Sequence, residues 1–184
     1  MHTGRPTTRT TGEERPMTVH MTIESPLGDL LLVGEKSAGT GGGLALASVS
    51  MTGQRNAAVV QPGWEHAPAA FTEVVRQLGE YFAGAREEFE LTCRTRGTAF
   101  QQRVWSALDG IPYGTTTSYG GLAAGIGLPR TAVRALGTAI GANPLLVVRP
   151  CHRVIGADGS LTGYAGGLER KQHLLLHEGA GRAA

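Results

Sequence analysis

The residues Pro150-Cys151-His152-Arg153 put a thiol, an imidazole and a guanidinium side by side. Sulfur attacks carbon as the thiolate, and a neighbouring base or cation favours that form by lowering the thiol pKa. The chemistry within reach is therefore nucleophilic attack by sulfur. Taken alone, the pair has a plainer reading: a core cysteine at a strand end beside a surface histidine. The surrounding segments decide between the two.

Those segments must bring other groups to the thiol. The apolar run Leu145-Leu146-Val147-Val148 predicts a buried strand, which Pro150 ends because it has no N–H for a ladder. Before it, Asn143-Pro144 closes a helix predicted from about Arg130 to Ala142. Ser118 is placed to cap a shorter helix, Tyr119 to Gly125, and Gly127-Leu128-Pro129 turns between the two. This is the order of a helix-turn-helix module: Val133, Leu136, Gly137 and Ile140 would pack inward, with Arg130, Arg134 and Thr138 on another face. Two helices of an ordinary core would give the same pattern.

Upstream, Thr98 and Gln101 form a capping box for a helix carrying Phe100, Val104, Trp105 and Leu108. Downstream, the glycines of Gly163-Tyr164-Ala165-Gly166-Gly167 let backbone approach a ligand. A last helix runs from Leu168 to His177-Glu178-Gly179. A carboxylate at a helix C-terminus opposes the dipole, so Glu178 reads as the partner of a histidine or as part of a frayed end.

The N-terminal half shows no cluster of catalytic types. Val19 to Glu24, Leu30 to Val33 and Leu44 to Ser50 predict strands, with a glycine-rich hairpin turn at Ala38 to Gly43. Gln54 to Ala67 reads as loop. Phe71, Val74, Val75, Leu78 and Phe82 recur at helical spacing. Phe89, Leu91 and Cys93 alternate, so Cys93 is expected as a buried strand thiol. Residues 94–97 are short and charged, as a linker would be. The expected organisation is a disordered tail over 1–18, a structural domain over 19–93, a linker, a C-terminal domain over 98–179, and a tail over 180–184.

The 184 residues, 41% hydrophobic and 17% charged, suffice for one large or two small domains with a real core. There is no apolar run of transmembrane length, and Met1 to Pro16 lacks the apolar centre of a secretory signal. Two cysteines make no disulfide framework, so free thiols and a cytoplasmic location are expected. The net charge of +2 hides an asymmetry, −4 up to Cys93 and +6 from Arg94 onward. The C-terminal half is the part suited to a polyanion.

From Gly97 to Gly179 the chain resembles the O6-alkylguanine-DNA alkyltransferases, or methylated-DNA–protein-cysteine methyltransferases. The resemblance rests on Gly97-Thr98-Ala99-Phe100-Gln101, Ile111-Pro112-Tyr113-Gly114, Ser118-Tyr119, Arg134-Ala135-Leu136-Gly137 and Ala142-Asn143-Pro144. It continues through Pro150-Cys151-His152-Arg153-Val154, Gly163-Tyr164-Ala165-Gly166-Gly167 and Leu174-Leu175-Leu176-His177-Glu178-Gly179. It implies an α+β fold: a small antiparallel ribonuclease H-like sheet with a helix, then a mostly helical domain with a winged helix-turn-helix.

The resemblance also implies a reaction and its residues. Cys151 would accept an alkyl group from guanine O6 in duplex DNA, thymine O4 being a second candidate, after the damaged base is flipped out. His152 would take the thiol proton through a water, and Glu178 would orient His152. Asn143 would stitch the turn between helix and thiol. Arg134 would enter the base stack, with Ala135 and Thr138 beside it on DNA. Tyr119 would rotate the target phosphate and donate to guanine. Val154, Tyr164, Ala165 and Lys171 would form the base pocket. The implied partner is double-stranded DNA carrying O6-alkylguanine, bound by a monomer, with cooperativity along DNA an open alternative. No cofactor or metal is implied, and with no second nucleophile each molecule would act once.

Other readings start from the same residues. A lesion sensor of this fold without chemistry would lack Cys151. A metal site could use Cys151, His173 and His177, the histidines four apart on one helical face. A thiol hydrolase would leave the helix-turn-helix pattern unexplained.

Overall fold

Alternating apolar and polar residues build three neighbouring strands in the N-terminal half: β1 (Met17–Ile23), β2 (Leu30–Lys36) and β3 (Leu44–Met51). β1–β2 and β2–β3 are antiparallel, with a bulge at Val33/Gly34. The computed structural model describes residues 16–36 and 43–180. Most of the expected glycine-rich turn and nearly all of the expected tails lie outside these residues. β1 begins at Met17, two residues inside the segment expected as tail.

The sheet departs from the expected antiparallel form. A short β4 (Glu65–His66), in the stretch read as loop, pairs parallel to β1, giving the order β3-β2-β1-β4. Two residues carry no periodicity signal, so this strand is invisible to pattern reading. The alternation at Phe89 to Cys93 yields one bridge, Leu46 to Cys93, rather than a strand, and Cys93 is exposed, not buried.

A 3₁₀ turn over Pro68–Phe71 leads into α1 (Thr72–Phe82), which buries Val74, Gln77, Leu78 and Tyr81. The second half contains α2 (Ala99–Asp109), β5 (Thr117–Ser118), α3 (Tyr119–Gly125), α4 (Val133–Gly141), β6 (Val154–Ile155) and α5 (Leu168–His177). Local chemistry sets these boundaries. Thr98 accepts from the Gln101 N–H while Gln101 reaches back to the Thr98 N–H, the predicted capping box. Ser118 caps α3 by accepting from the Gly121 N–H at 2.9 Å. A Cβ on Gly121 would sit 3.0 Å from Thr117 Oγ1 and 3.2 Å from Ser118 Oγ, so a side chain there would crowd the capping hydroxyl.

α4 packs on α2, where the Trp105 indole N–H donates to the Ala139 carbonyl at 2.8 Å. One apolar core runs through both halves of the chain, from Val19 and Leu46 to Leu136, Leu146 and Leu174. No helix among the described residues is long and apolar enough to cross a membrane.

Candidate active site

The segment carrying the thiol is a turn, not the strand expected from Leu145–Val148. Its apolar residues are buried, but only Leu145 bridges to a strand, at Val49 of β3. The Val49 N–H donates to the Pro144 carbonyl and the Leu146 N–H to the Val49 carbonyl, which covers the free edge of β3. At Val147 the chain reverses with φ +70, and the Val148 N–H closes on the Leu146 carbonyl at 2.8 Å. Positive φ at a β-branched residue is strained and persists only where surroundings impose it.

Asn143 is one such constraint. It is 2% exposed. Its Nδ2 donates to the carbonyls of Leu145 (3.3 Å) and Arg149 (3.2 Å) and to Cys151 Sγ (3.2 Å), while its Oδ1 accepts the Leu145 N–H (3.1 Å). These bonds tie the end of α4 to the backbone of the turn and to the sulfur. Arg149 adds a second anchor: it pairs with Asp109 at 2.9 Å and lies 5.6 Å from the Trp105 ring centre.

Behind the thiol lies a buried charge cluster. Glu178 Oε1 accepts from His152 Nε2 (2.7 Å), Arg153 Nη2 (3.0 Å) and the Tyr81 hydroxyl (2.7 Å). Its Oε2 accepts from Arg153 Nε at 2.8 Å and the Gly114 N–H at 3.4 Å. Burial opposes ionisation of Glu178, but the bonds from His152 and Arg153 outweigh it and hold its pKa at about 2. Its place after α5 is therefore explained by more than a histidine. Because Nε2 faces a carboxylate it carries the ring proton. Nδ1, buried and without a protein partner, is the nitrogen left to accept one.

Burial pushes the Cys151 thiol up to about 11, although Asn143 and Lys171 favour the thiolate. Burial likewise lowers the His152 pKa, against the pull of Glu178. The resting site holds a thiol and a neutral imidazole. Making the thiolate at pH 7 from a pKa of about 11 costs about 5 kcal/mol, so a base must take the proton as sulfur attacks.

Cys151 opens onto a cavity of about 910 Å³, within the range of small-ligand sites. Tyr164 and Ala165, expected at the base pocket, line it, and so do Tyr119, Arg134 and Thr138, expected on DNA. Arg134, Ala135 and Thr138 are exposed on α4, and Thr138 bonds back to the Arg134 carbonyl. The Tyr119 hydroxyl donates to the Thr162 carbonyl at 2.8 Å.

Val154 and Lys171 are each 0% exposed and are not among the cavity's lining residues. Lys171 Nζ donates to the carbonyls of Val154, Thr162 and Gly163, tying the loop to β6. Burial lowers its pKa to about 8. A Cβ on Gly166 would meet Met51 Sδ at 2.7 Å and the Tyr164 ring at 2.8 Å, so the loop must be glycine where the two halves close.

Sequence reading missed contributions from the N-terminal half. Arg55 and Asn56 line the cavity, and the Arg55 N–H donates to the Ala165 carbonyl at 3.3 Å. Tyr81 carries no sequence signal of its part in the site, because its partner Glu178 lies 97 residues away. The alternative metal site is not assembled: His177 Nε2 donates to the Tyr81 carbonyl, and among the described residues no three His, Cys, Asp or Glu side chains group to hold an ion.

Comparison with known proteins bears on this geometry. Residues 18–95 match the ribonuclease-like domain, and residues 99–180 the DNA binding domain, of the 6-O-methylguanine DNA methyltransferases. A methylated-DNA–protein-cysteine methyltransferase from Mycolicibacterium paratuberculosis is 49% identical over 88% of this chain and 93% of its own. One from Methanosarcina acetivorans is 43% identical over 86% of this chain and 96% of its own. The crystal structure of Mycobacterium tuberculosis OGT in complex with DNA superimposes with a TM-score of 0.77 at 48% identity, covering 88% of this chain and 93% of that one. With both halves matched and the relatives spanned nearly end to end, the chain belongs to the methylated-DNA–protein-cysteine methyltransferase family and is an enzyme of that class.

Proposed function

We propose that the protein repairs duplex DNA by moving one methyl group from guanine O6 to Cys151, once per molecule, after the damaged base turns out of the helix. The observation that carries this reading is the position of Cys151. Its sulfur faces a cavity large enough to admit a purine on one side, and His152 with Glu178 stands behind it. Exposed Arg134 lies at the mouth of the same cavity.

Extrusion of a base costs a few kcal/mol, offset by contacts in the cavity and by Arg134 entering the stack. Arg134 fills the space the base leaves, and Ala135 and Thr138 let α4 sit close to the groove. The sulfur attacks the methyl carbon as its proton passes, through a water, to His152 Nδ1. The C–O6 bond breaks and its electrons go to guanine, which gains a proton or hydrogen bond from Tyr119. Tyr119 must first exchange its bond to the Thr162 carbonyl. Glu178 stabilises the imidazolium that forms. The product thioether is not cleaved by water, so the cysteine is spent. Thymine O4 presents the same kind of methyl ether and is a second candidate lesion. The binding unit is a monomer.

Intact-mass measurement after incubation with O6-methylguanine duplex tests this. One methyl is expected, absent in Cys151→Ser and never exceeding one per molecule. Arg134→Ala should weaken duplex binding and slow methyl uptake, because the stack is left unfilled when the base turns out. Methylation that persists in Cys151→Ser would overturn the assignment.

A further inference from the structure

The N-terminal half, read from sequence as scaffold, sends one polar group into the buried charge cluster. Tyr81, on α1, is 0% exposed, and its hydroxyl donates to Glu178 Oε1 at 2.7 Å across 97 residues of sequence. That is the same oxygen that receives the His152 Nε2–H, also at 2.7 Å. The tyrosine is locked in place. Its ring centre lies 5.1 to 5.3 Å from those of Phe82, Phe89 and His177, and its own carbonyl accepts from His177 Nε2.

We propose that Tyr81 is a positioning residue for the transfer reaction: by occupying Glu178 Oε1 it weakens that oxygen's hold on the His152 N–H and keeps the imidazole neutral. The inference rests on the proposed role of His152 as the base. A buried carboxylate sharing one oxygen between two donors gives less to each, and a less basic His152 stays unprotonated over a wider pH range. Groups facing His152 or Glu178 from the packed elements are Arg153 and Cys151 beside His152, Tyr81 of α1, Tyr113 of the turn after α2, Tyr164 of the loop before α5, and Lys171 of α5. Arg153 and Lys171 also disfavour the imidazolium. They lie on the same half of the chain as His152. Tyr81 is the contribution of the other half, and it makes the two halves a single reacting unit.

Tyr81→Phe keeps the ring packing and removes only the donor. Glu178 retains four other donors, so the variant should fold. His152 imidazole titration, followed by NMR on the full chain, should move up by about one pH unit, the scale of a tenfold change in protonation equilibrium. The acid limb of the methyl-transfer rate against pH should move up by the same amount, with duplex affinity unchanged. In a Glu178→Gln background the Tyr81→Phe shift should vanish, because the effect passes through the carboxylate.

Tyr113→Phe is the control. It removes a hydroxyl that sits near the same ring and reaches the His177 carbonyl at 3.5 Å, and it should leave the titration in place. No shift in Tyr81→Phe, or an equal shift in Tyr113→Phe, overturns the proposal. If the wild type transfers no methyl, the proposed function fails while the His152 titration still decides the role of Tyr81.

Discussion

Replacing Asn143 with alanine tests how much of the site depends on one amide. The substitution leaves the Leu145 N–H, buried in the turn, without its acceptor. An orphaned buried donor costs about 1–3 kcal/mol. The Leu145 and Arg149 carbonyls also lose a donor, but each keeps another, the N–H of Arg149 at 2.9 Å and of Cys151 at 2.8 Å. Their loss is the smaller one, about 0.5–1.5 kcal/mol each. Relaxation of the strained turn at Val147 returns part of this. The net expectation is about 3 kcal/mol, or a fall in Tm of about 6–12 °C for a chain of this size.

The chemistry should suffer beyond the stability. The sulfur loses the hydrogen bond that most favours its thiolate, so its pKa rises further above its resting position near 11. Each unit is a tenfold loss of thiolate. Thermal melting, and the single-turnover methyl-uptake rate measured below the melting range, separate the two effects. A variant that melts within about 2 °C of wild type and transfers methyl at an undiminished rate would refute the claim that Asn143 holds the turn and tunes the thiol.

Acid should destabilise the fold in two stages. His152 has a depressed pKa in the fold, so the unfolded chain takes up its proton first and stability declines as pH falls below about 6.5. Glu178 is held at about 2 against an ordinary 4.5, so its contribution, at most about 3 kcal/mol, is present above pH 4.5 and is lost as pH falls toward 2. Urea unfolding from pH 8 to pH 3 checks this, and a flat profile would contradict it. Thr98→Ala breaks an exposed capping box and should cost about 1 kcal/mol, read as a lower Tm, with methyl uptake unchanged.

Much of the C-terminal half could be read before any coordinates. Two of its helices, α2 and α3, start at residues whose side chains bond nearby backbone, Thr98 with Gln101 and Ser118 with Gly121, and such contacts span three residues. The ordered motifs around Cys151 likewise named His152, Glu178, Asn143 and Arg134, which the fold gathers around the thiol and its cavity. Periodicity served less well where burial and secondary structure part company. Leu145–Val148 is apolar because it is buried, and it folds as a turn because Asn143 bonds its backbone from outside the run. Phe89 to Cys93 alternates without a ladder of its own.

Types and local order along the chain determined the nucleophile, its neighbours and the helices that carry them, since these follow from contacts a few residues long. Only the tertiary structure decided the reactivity. Burial makes Cys151 a thiol at rest and His152 a neutral base, and Tyr81 meets Glu178 across 97 residues of sequence. Desolvation and long-range hydrogen bonds depend on how the two halves close on each other, and no spacing within either half encodes that closure.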